Sequence, residues 1–266
     1  MPDLILHLWW GPRDPTHADD ARRLSRFVSG LPDFDPVYCS WIASPKTKKE
    51  TVPVPLTEEH AKQLLADNIA RRDLPADPWP ELGSTIWGGH VGPPPYDFRE
   101  ASVAVTRCYI GRYGKHGGNY ISMGLSDLRP STGRPWRACE LRPLMKFARD
   151  IWNPAEMCVT FSFYNLPKIR DPERVAMFAP YARARPKIAD SIMASCDRPL
   201  EPRIGWITYL PPDLAVKAKY PADIEVETLD DGAALVTLCE EPFGKTDAEG
   251  LARLHALEAA LRPIQS

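Results

Sequence analysis

The chain has 266 residues, 44% of them hydrophobic and 26% charged, with a formal net charge of −2. A chain of this size and balance can bury a sizeable core, which excludes disordered and fibrous classes, and its near-neutral charge argues against phosphate binding as the main task. The 29 prolines, about twice the ordinary share, predict rigid irregular connections and interrupted helices.

Residues 3–9 read as a strand. The opening stretch carries Asp3 and no basic segment ahead of its short apolar run, so it does not read as a secretory signal. No segment approaches the ~20 apolar residues of a membrane span. The expectation is a cytoplasmic chain, with the six scattered cysteines (Cys39, Cys108, Cys139, Cys158, Cys196, Cys239) as free thiols.

Asp14-Pro15 opens a helix with Ala21, Leu24, Phe27, Val28 and Leu31 at helical spacing, ended by Gly30 and Pro32. Residues 37–43 read as a strand and 44–55 as a basic, proline-punctuated loop. Thr57 caps a second helix with a stripe of Ala61, Leu64, Leu65 and Ile69. A three-proline loop over 73–82 leads to a strand at 84–90. Residues 100–112 alternate as a strand, 114–118 turn, and 119–125 return antiparallel. A helix follows over 141–152, with Pro143 near its start, and then a nearly continuous apolar strand over 157–164. Residues 166–202 are irregular, with short helical pieces, and read as an insertion on a common core. A strand at 204–210 precedes two strands, 224–229 and 233–239, joined by the hairpin signal Asp230-Asp231-Gly232. Thr246 caps a last helix striped with Leu251, Leu254, Leu257 and Leu261. The pattern predicts one α+β domain with a largely antiparallel sheet flanked by helices.

Charge is unevenly distributed. Residues 99–150 hold ten Lys/Arg against four Asp/Glu, a balance of +6, and residues 221–266 hold three against ten, a balance of −7. Such blocks are either solvated faces or an acidic face that steers a basic partner.

Motifs of catalysis are missing. There is no dinucleotide or Walker loop, no nucleophile elbow and no zinc-protease helix. The six histidines lack metal-ligand spacing, and no cofactor or metal is expected. The stretch from Gly114 to Gly118 reads as a hairpin turn or an anion cradle. Trp87-Gly88-Gly89-His90 reads as a strand end, or places His90 in a cleft. The rival to a non-enzymatic reading is a small α+β enzyme using His90 or His116. Trp79, between Pro78 and Pro80, is either an exposed interface anchor or folded back onto the domain.

Several segments in order resemble immunity protein family 52 of bacterial polymorphic toxin and type VI secretion systems, and are similar to the immunity partners of Pseudomonas type VI effectors. They are the opening strand with Trp10, Gly11 and Arg13; the strand with Trp41 before the basic loop 46–49; Asn68 to Asp73 with Arg71 and Arg72; the strand with Trp87; and Gly205-Trp206-Ile207-Thr208-Tyr209-Leu210. These motif residues are expected to hold the fold. The resemblance implies a cognate toxin as partner, commonly one with a restriction-endonuclease-like nuclease domain. It implies neither catalysis nor direct contact with nucleic acid or membrane. An effector adaptor or chaperone is the alternative. The contact surface expected from charge is twofold: the rigid loop with Asp73, Asp77, Trp79 and Glu81, and the hairpin with Asp223, Glu225, Glu227, Asp230 and Asp231. Those hairpin carboxylates equally fit a solvated edge strand.

Overall fold

The computed structural model describes residues 4–10, 17–43, 50–67, 84–90, 105–110, 119–125, 128–129, 131–161, 164, 168–170, isolated positions between 172 and 186, 189–194, 197–199 and 204–264. Strand β1 (Leu4–Trp10) alternates buried and half-buried residues along its length, the signature of a strand with one face in the core. It lies between β6 (Asn119–Leu125) and β9 (Glu156–Phe161), antiparallel to both. Every residue of β9 is buried, Glu156 and Thr160 included, which is why its sequence reads as a nearly continuous apolar run rather than an alternating one.

The sheet has ten strands, all paired antiparallel. On one side of β1 it continues through β6, β5 (Val105–Ile110), β4 (Ser84–His90) and β2 (Ser40–Ala43) to β3 (Glu50–Pro53). On the other it continues through β9, β12 (Ile207–Leu210) and β14 (Ala234–Thr237) to the outer strand β13 (Glu225–Thr228). With the helices this is the expected α+β domain. Two small two-stranded sheets stand apart: β7 (Leu128–Arg129) with β8 (Arg134–Pro135), and β10 (Lys168–Arg170) with β11 (Asp197–Pro199). Both strands of the latter lie within residues 166–202.

Register assigns the faces. Leu4, Leu6, Leu8 and Trp10 share a face with Leu125, Met123 and Ile121, with Phe161, Val159 and Met157, and with Ile207 and Tyr209. All are buried. Helices α1 (His17–Gly30) and α3 (Ala138–Trp152) cover this face. Trp10 stacks on Trp152 with centroids 5.2 Å apart, and Phe27 meets Trp152 edge-on at 6.0 Å. Helix α2 (Glu58–Asp67) is tied to α1 through Leu56, whose carbonyl accepts from the Ser25 hydroxyl at 2.5 Å and whose N–H donates to Ser29 Oγ at 2.8 Å.

Four local expectations change. Residues 36–39 form a 3₁₀ turn rather than the start of a strand, because Asp35 and Tyr38 are drawn into the core there. The Asp35 carboxylate accepts from the N–H and hydroxyl of Ser131 at 3.2 and 2.7 Å, and Arg129 stands 3.4 Å away. The expected loop 44–55 contains β3, in which Val52 is buried and pairs in register with Trp41. Helix α3 starts a turn early. The Glu140 carboxylate accepts from the Arg137 N–H at 2.9 Å, and the Ala138 N–H donates to the Glu240 carbonyl at 2.9 Å, so otherwise orphaned donors find partners. The last helix is capped one residue later than expected: Asp247 Oδ1 accepts from the Gly250 N–H at 3.0 Å.

Candidate functional site

The β13–β14 hairpin and α3 bring a set of carboxylates and a set of cations together on one surface. The hairpin turn closes with the Leu229 N–H donating to Ala233 O at 2.8 Å and the Gly232 N–H to Leu229 O at 2.9 Å. Gly232 takes φ +83, a left-handed conformation that suits glycine. Neither Asp230 nor Asp231 has positive φ, so this is not the two-residue turn with both central residues left-handed that Asp-Gly suggests. It is the longer turn that ends on a left-handed glycine. Asp231 Oδ1 accepts from the Ala233 N–H at 3.1 Å, which holds the tip.

Helix α3 lines up Arg142, Lys146 and Arg149 at four- and three-residue spacing on one side. Glu225 and Glu227 of β13 share a sheet face with Thr237 and Leu235, and so with Ile207 and Tyr209, the face that α3 covers. The helix row and the strand carboxylates therefore meet at the sheet margin. Arg142 pairs with Glu225 and Lys146 with Glu227. Arg149 reaches Asp231 at 3.5 Å, and Arg137 reaches Glu240 at 3.2 Å. Arg253, from helix α4 (Ala248–Leu261), reaches Asp223 at 3.3 Å. A groove of about 440 Å³ opens between α3 and β13, lined by Cys139, Arg142, Pro143, Lys146, Glu225 and Glu227.

The members of these pairs are unequally exposed. Side-chain exposure is 17% for Arg142 against 57% for Glu225, and 21% for Arg149 against 51% for Asp231. It is 27% for Arg253 against 60% for Asp223, while Lys146 and Glu227 are nearly equal. The cations sit behind and the carboxylates in front. A partner arriving from solvent meets negative charge first, although each pair is formally neutral.

Titration follows the same arrangement. Burial pulls the Arg142 guanidinium down, but the hydrogen bond and charge of Glu225 outweigh it and leave the group raised. Burial likewise pushes Glu240 up. Hydrogen bonds from Cys139 and the charges of Arg137 and Arg142 outweigh it and hold the carboxyl below its usual range. The Cys139 thiol is raised, chiefly by its hydrogen bond to Glu240 and then by burial, so it is a neutral thiol at physiological pH and a poor nucleophile. Among the described residues no histidine lines the groove.

The other residues singled out by sequence fall into two groups. Trp10, Trp41, Trp206 and Tyr209 are buried in the core. Gly205 packs so closely that a Cβ there would lie 2.2 Å from the Val159 carbonyl oxygen. Trp87 lies in β4 opposite Arg107. Gly11, Arg13, Arg71, Arg72, Asp73, Asp77, Trp79 and Glu81 lie outside the described residues, as does His116. The acidic residues of the hairpin do come together, with Asp230 exposed at its tip. Sequence reasoning missed the α3 row and Arg253. The signal for the row was available: the +6 block of residues 99–150 contains Arg142, Lys146 and Arg149 at helical spacing.

Among the described residues no cluster of His, Cys, Asp and Glu is placed to hold a metal ion, and no helix is long and apolar enough to cross a membrane. No protein-family model matches the chain, and no curated protein matches it. Among solved structures, the Pseudomonas aeruginosa T6SS protein PA0821 superposes with a TM-score of 0.49 at 12% identity, covering 97% of this chain and 73% of that one.

Proposed function

We propose that this chain is an immunity protein: a stoichiometric, non-enzymatic inhibitor that binds and neutralises a cognate antibacterial toxin in the cytoplasm. The toxin is proposed to be a type VI effector with a restriction-endonuclease-like nuclease domain. The observation that carries this reading is the outward-facing set of carboxylates at the β13–β14 hairpin, with their cations held behind them. A nuclease presents a positively charged groove to its phosphate substrate, and an acidic projection competes for that groove. The ordered resemblance of the sequence motifs to immunity protein family 52 supports the same reading. The loop carrying Asp73, Asp77, Trp79 and Glu81 is the proposed second contact, with Trp79 as anchor.

Co-expression with the toxin encoded beside this chain tests the proposal. Rescue of growth is expected, and it should survive replacement of His90 and His116 by alanine. Loss of rescue by those changes in a folded protein favours an enzyme. Binding that leaves toxin activity intact in vitro favours an adaptor.

A further inference from the structure

The outer edge of β13 carries backbone groups that no described strand uses. Glu225 to Thr228 pair with Thr237 to Ala234 of β14, and among the described strands β13 has no other neighbour. Antiparallel ladders alternate hydrogen-bonded and non-bonded pairs. The Leu229 N–H donates to Ala233 O, so the next bonded pairs are Glu227 with Leu235 and Glu225 with Thr237. The N–H and C=O groups of Val226 and Thr228 therefore point away from β14. Thr228 is exposed and Val226 half-buried.

Two occupants suggest themselves for an open edge, and charge separates them. A second copy of β13 would set glutamates against glutamates, an unfavourable cross-strand arrangement. A basic strand would set Lys or Arg beside Glu225 and Glu227, each of which retains acceptor capacity beyond its one helix contact. The groove between α3 and β13 gives such side chains room on the face where those carboxylates lie.

We propose that β13 takes an added strand from its partner: an extended segment alternating Lys/Arg with small apolar residues, hydrogen-bonded to Val226 and Thr228. This deepens the inhibitor reading by specifying how the hairpin grips a basic protein, and its test needs no toxin. The probe is a blocked, labelled hexapeptide of alternating Lys and Val, followed by anisotropy at low ionic strength and by amide exchange. Controls are the same peptide N-methylated at alternate residues, in both frames, and a Glu–Val peptide.

The Lys–Val peptide should bind at least about tenfold tighter than the Glu–Val peptide and than one of the two N-methylated frames. It should slow exchange at Val226 and Thr228. Val226→Pro removes an outward N–H that β14 does not use, a position where an edge strand tolerates proline, and should abolish that protection. Because Val226→Pro could disturb the hairpin, the Glu225→Gln/Glu227→Gln variant provides a second test, with about tenfold weaker binding expected. Absence of binding, equal binding of both N-methylated frames, or binding without protection of Val226 and Thr228 overturns strand addition. A chain that binds the peptide as expected but does not rescue cells refutes the inhibitor reading alone. A chain that rescues cells while the peptide gives no protection refutes strand addition alone.

Discussion

The indole Nε1 of Trp206 donates to the carbonyl oxygen of Cys239 at 2.8 Å, while the Leu238 N–H donates to the Trp206 carbonyl at 3.0 Å. The two bonds join the entry to β12 with the exit from β14, and Trp206 itself is buried against Phe161, with centroids 6.3 Å apart. Trp206→Phe keeps much of the apolar surface but leaves the Cys239 carbonyl without its donor, and should cost about 1–3 kcal/mol. Trp206→Ala should cost about 3–5 kcal/mol. Urea unfolding measures both, and equal stability of Trp206→Phe and the parent would show that the bond contributes nothing.

Next to it, Gly205 lies against the backbone of β9, where an added Cβ would meet Val159 O at 2.2 Å and Val159 C at 2.8 Å. A backbone neighbour cannot swing aside as a flexible side chain can. Gly205→Ala is expected to lower stability by about 3 kcal/mol or more. Gly244→Ala, with nothing within 4 Å of the new Cβ, should stay within about 0.5 kcal/mol of the parent. Thermal melts of the two variants side by side check the contrast.

Two ion pairs should behave differently. Glu225 is largely exposed, so a double-mutant cycle with Arg142 should give a coupling of about 1 kcal/mol or less, fading at high salt. Asp35 is fully buried beside Arg129 and bonded to Ser131. Asp35→Ala strands a buried guanidinium edge and should cost about 3–5 kcal/mol at any salt concentration. A large, salt-resistant coupling at Glu225 would mean that the hairpin is locked to α3 rather than resting on it.

Alkaline stability should fall in a defined window. Tyr164 is pushed from 10.0 up to about 12, first by burial, then by the charge of Glu258 and the hydrogen bond to it. Burial also raises Tyr38, Tyr209 and Tyr220. Each phenol ionises more readily in the unfolded chain. The stability that Tyr164 contributes is therefore whole below pH 10 and disappears as pH climbs through about 12. Chemical denaturation from pH 9 upward should show the decline, at roughly the pH where free phenols titrate. Tyr164→Phe should make it shallower, and an unchanged slope would remove Tyr164 from the account.

Much of the architecture follows from local pattern. The alternation of β1, the leucine stripes of α2 and α4 and the glycine-ended hairpin are properties of neighbouring residues, and sequence periodicity reads them directly. Strand β3 was hidden because Pro53 and the lysines around it are loop chemistry; it is a strand because Trp41 across the ladder offers Val52 a buried partner. The candidate site was half legible. Its carboxylates stand out as a block, and so do the cations of residues 99–150, but their meeting depends on α3 crossing the sheet toward its last strand. That is a long-range packing outcome, and no short-range signal encodes it.

Strand β1 lies between two neighbours, and its Leu4 aligns with Leu125 on one side and Phe161 on the other. During synthesis β1 emerges before both. Its apolar residues Leu4, Leu6 and Leu8 must wait, unpaired, until β6 and then β9 have left the ribosome. Contacts this distant along the chain make folding slow, and the waiting strand is a hazard for aggregation. Production of this protein should therefore respond more to slowed translation, lowered temperature and chaperone supply than its well-packed finished core would suggest.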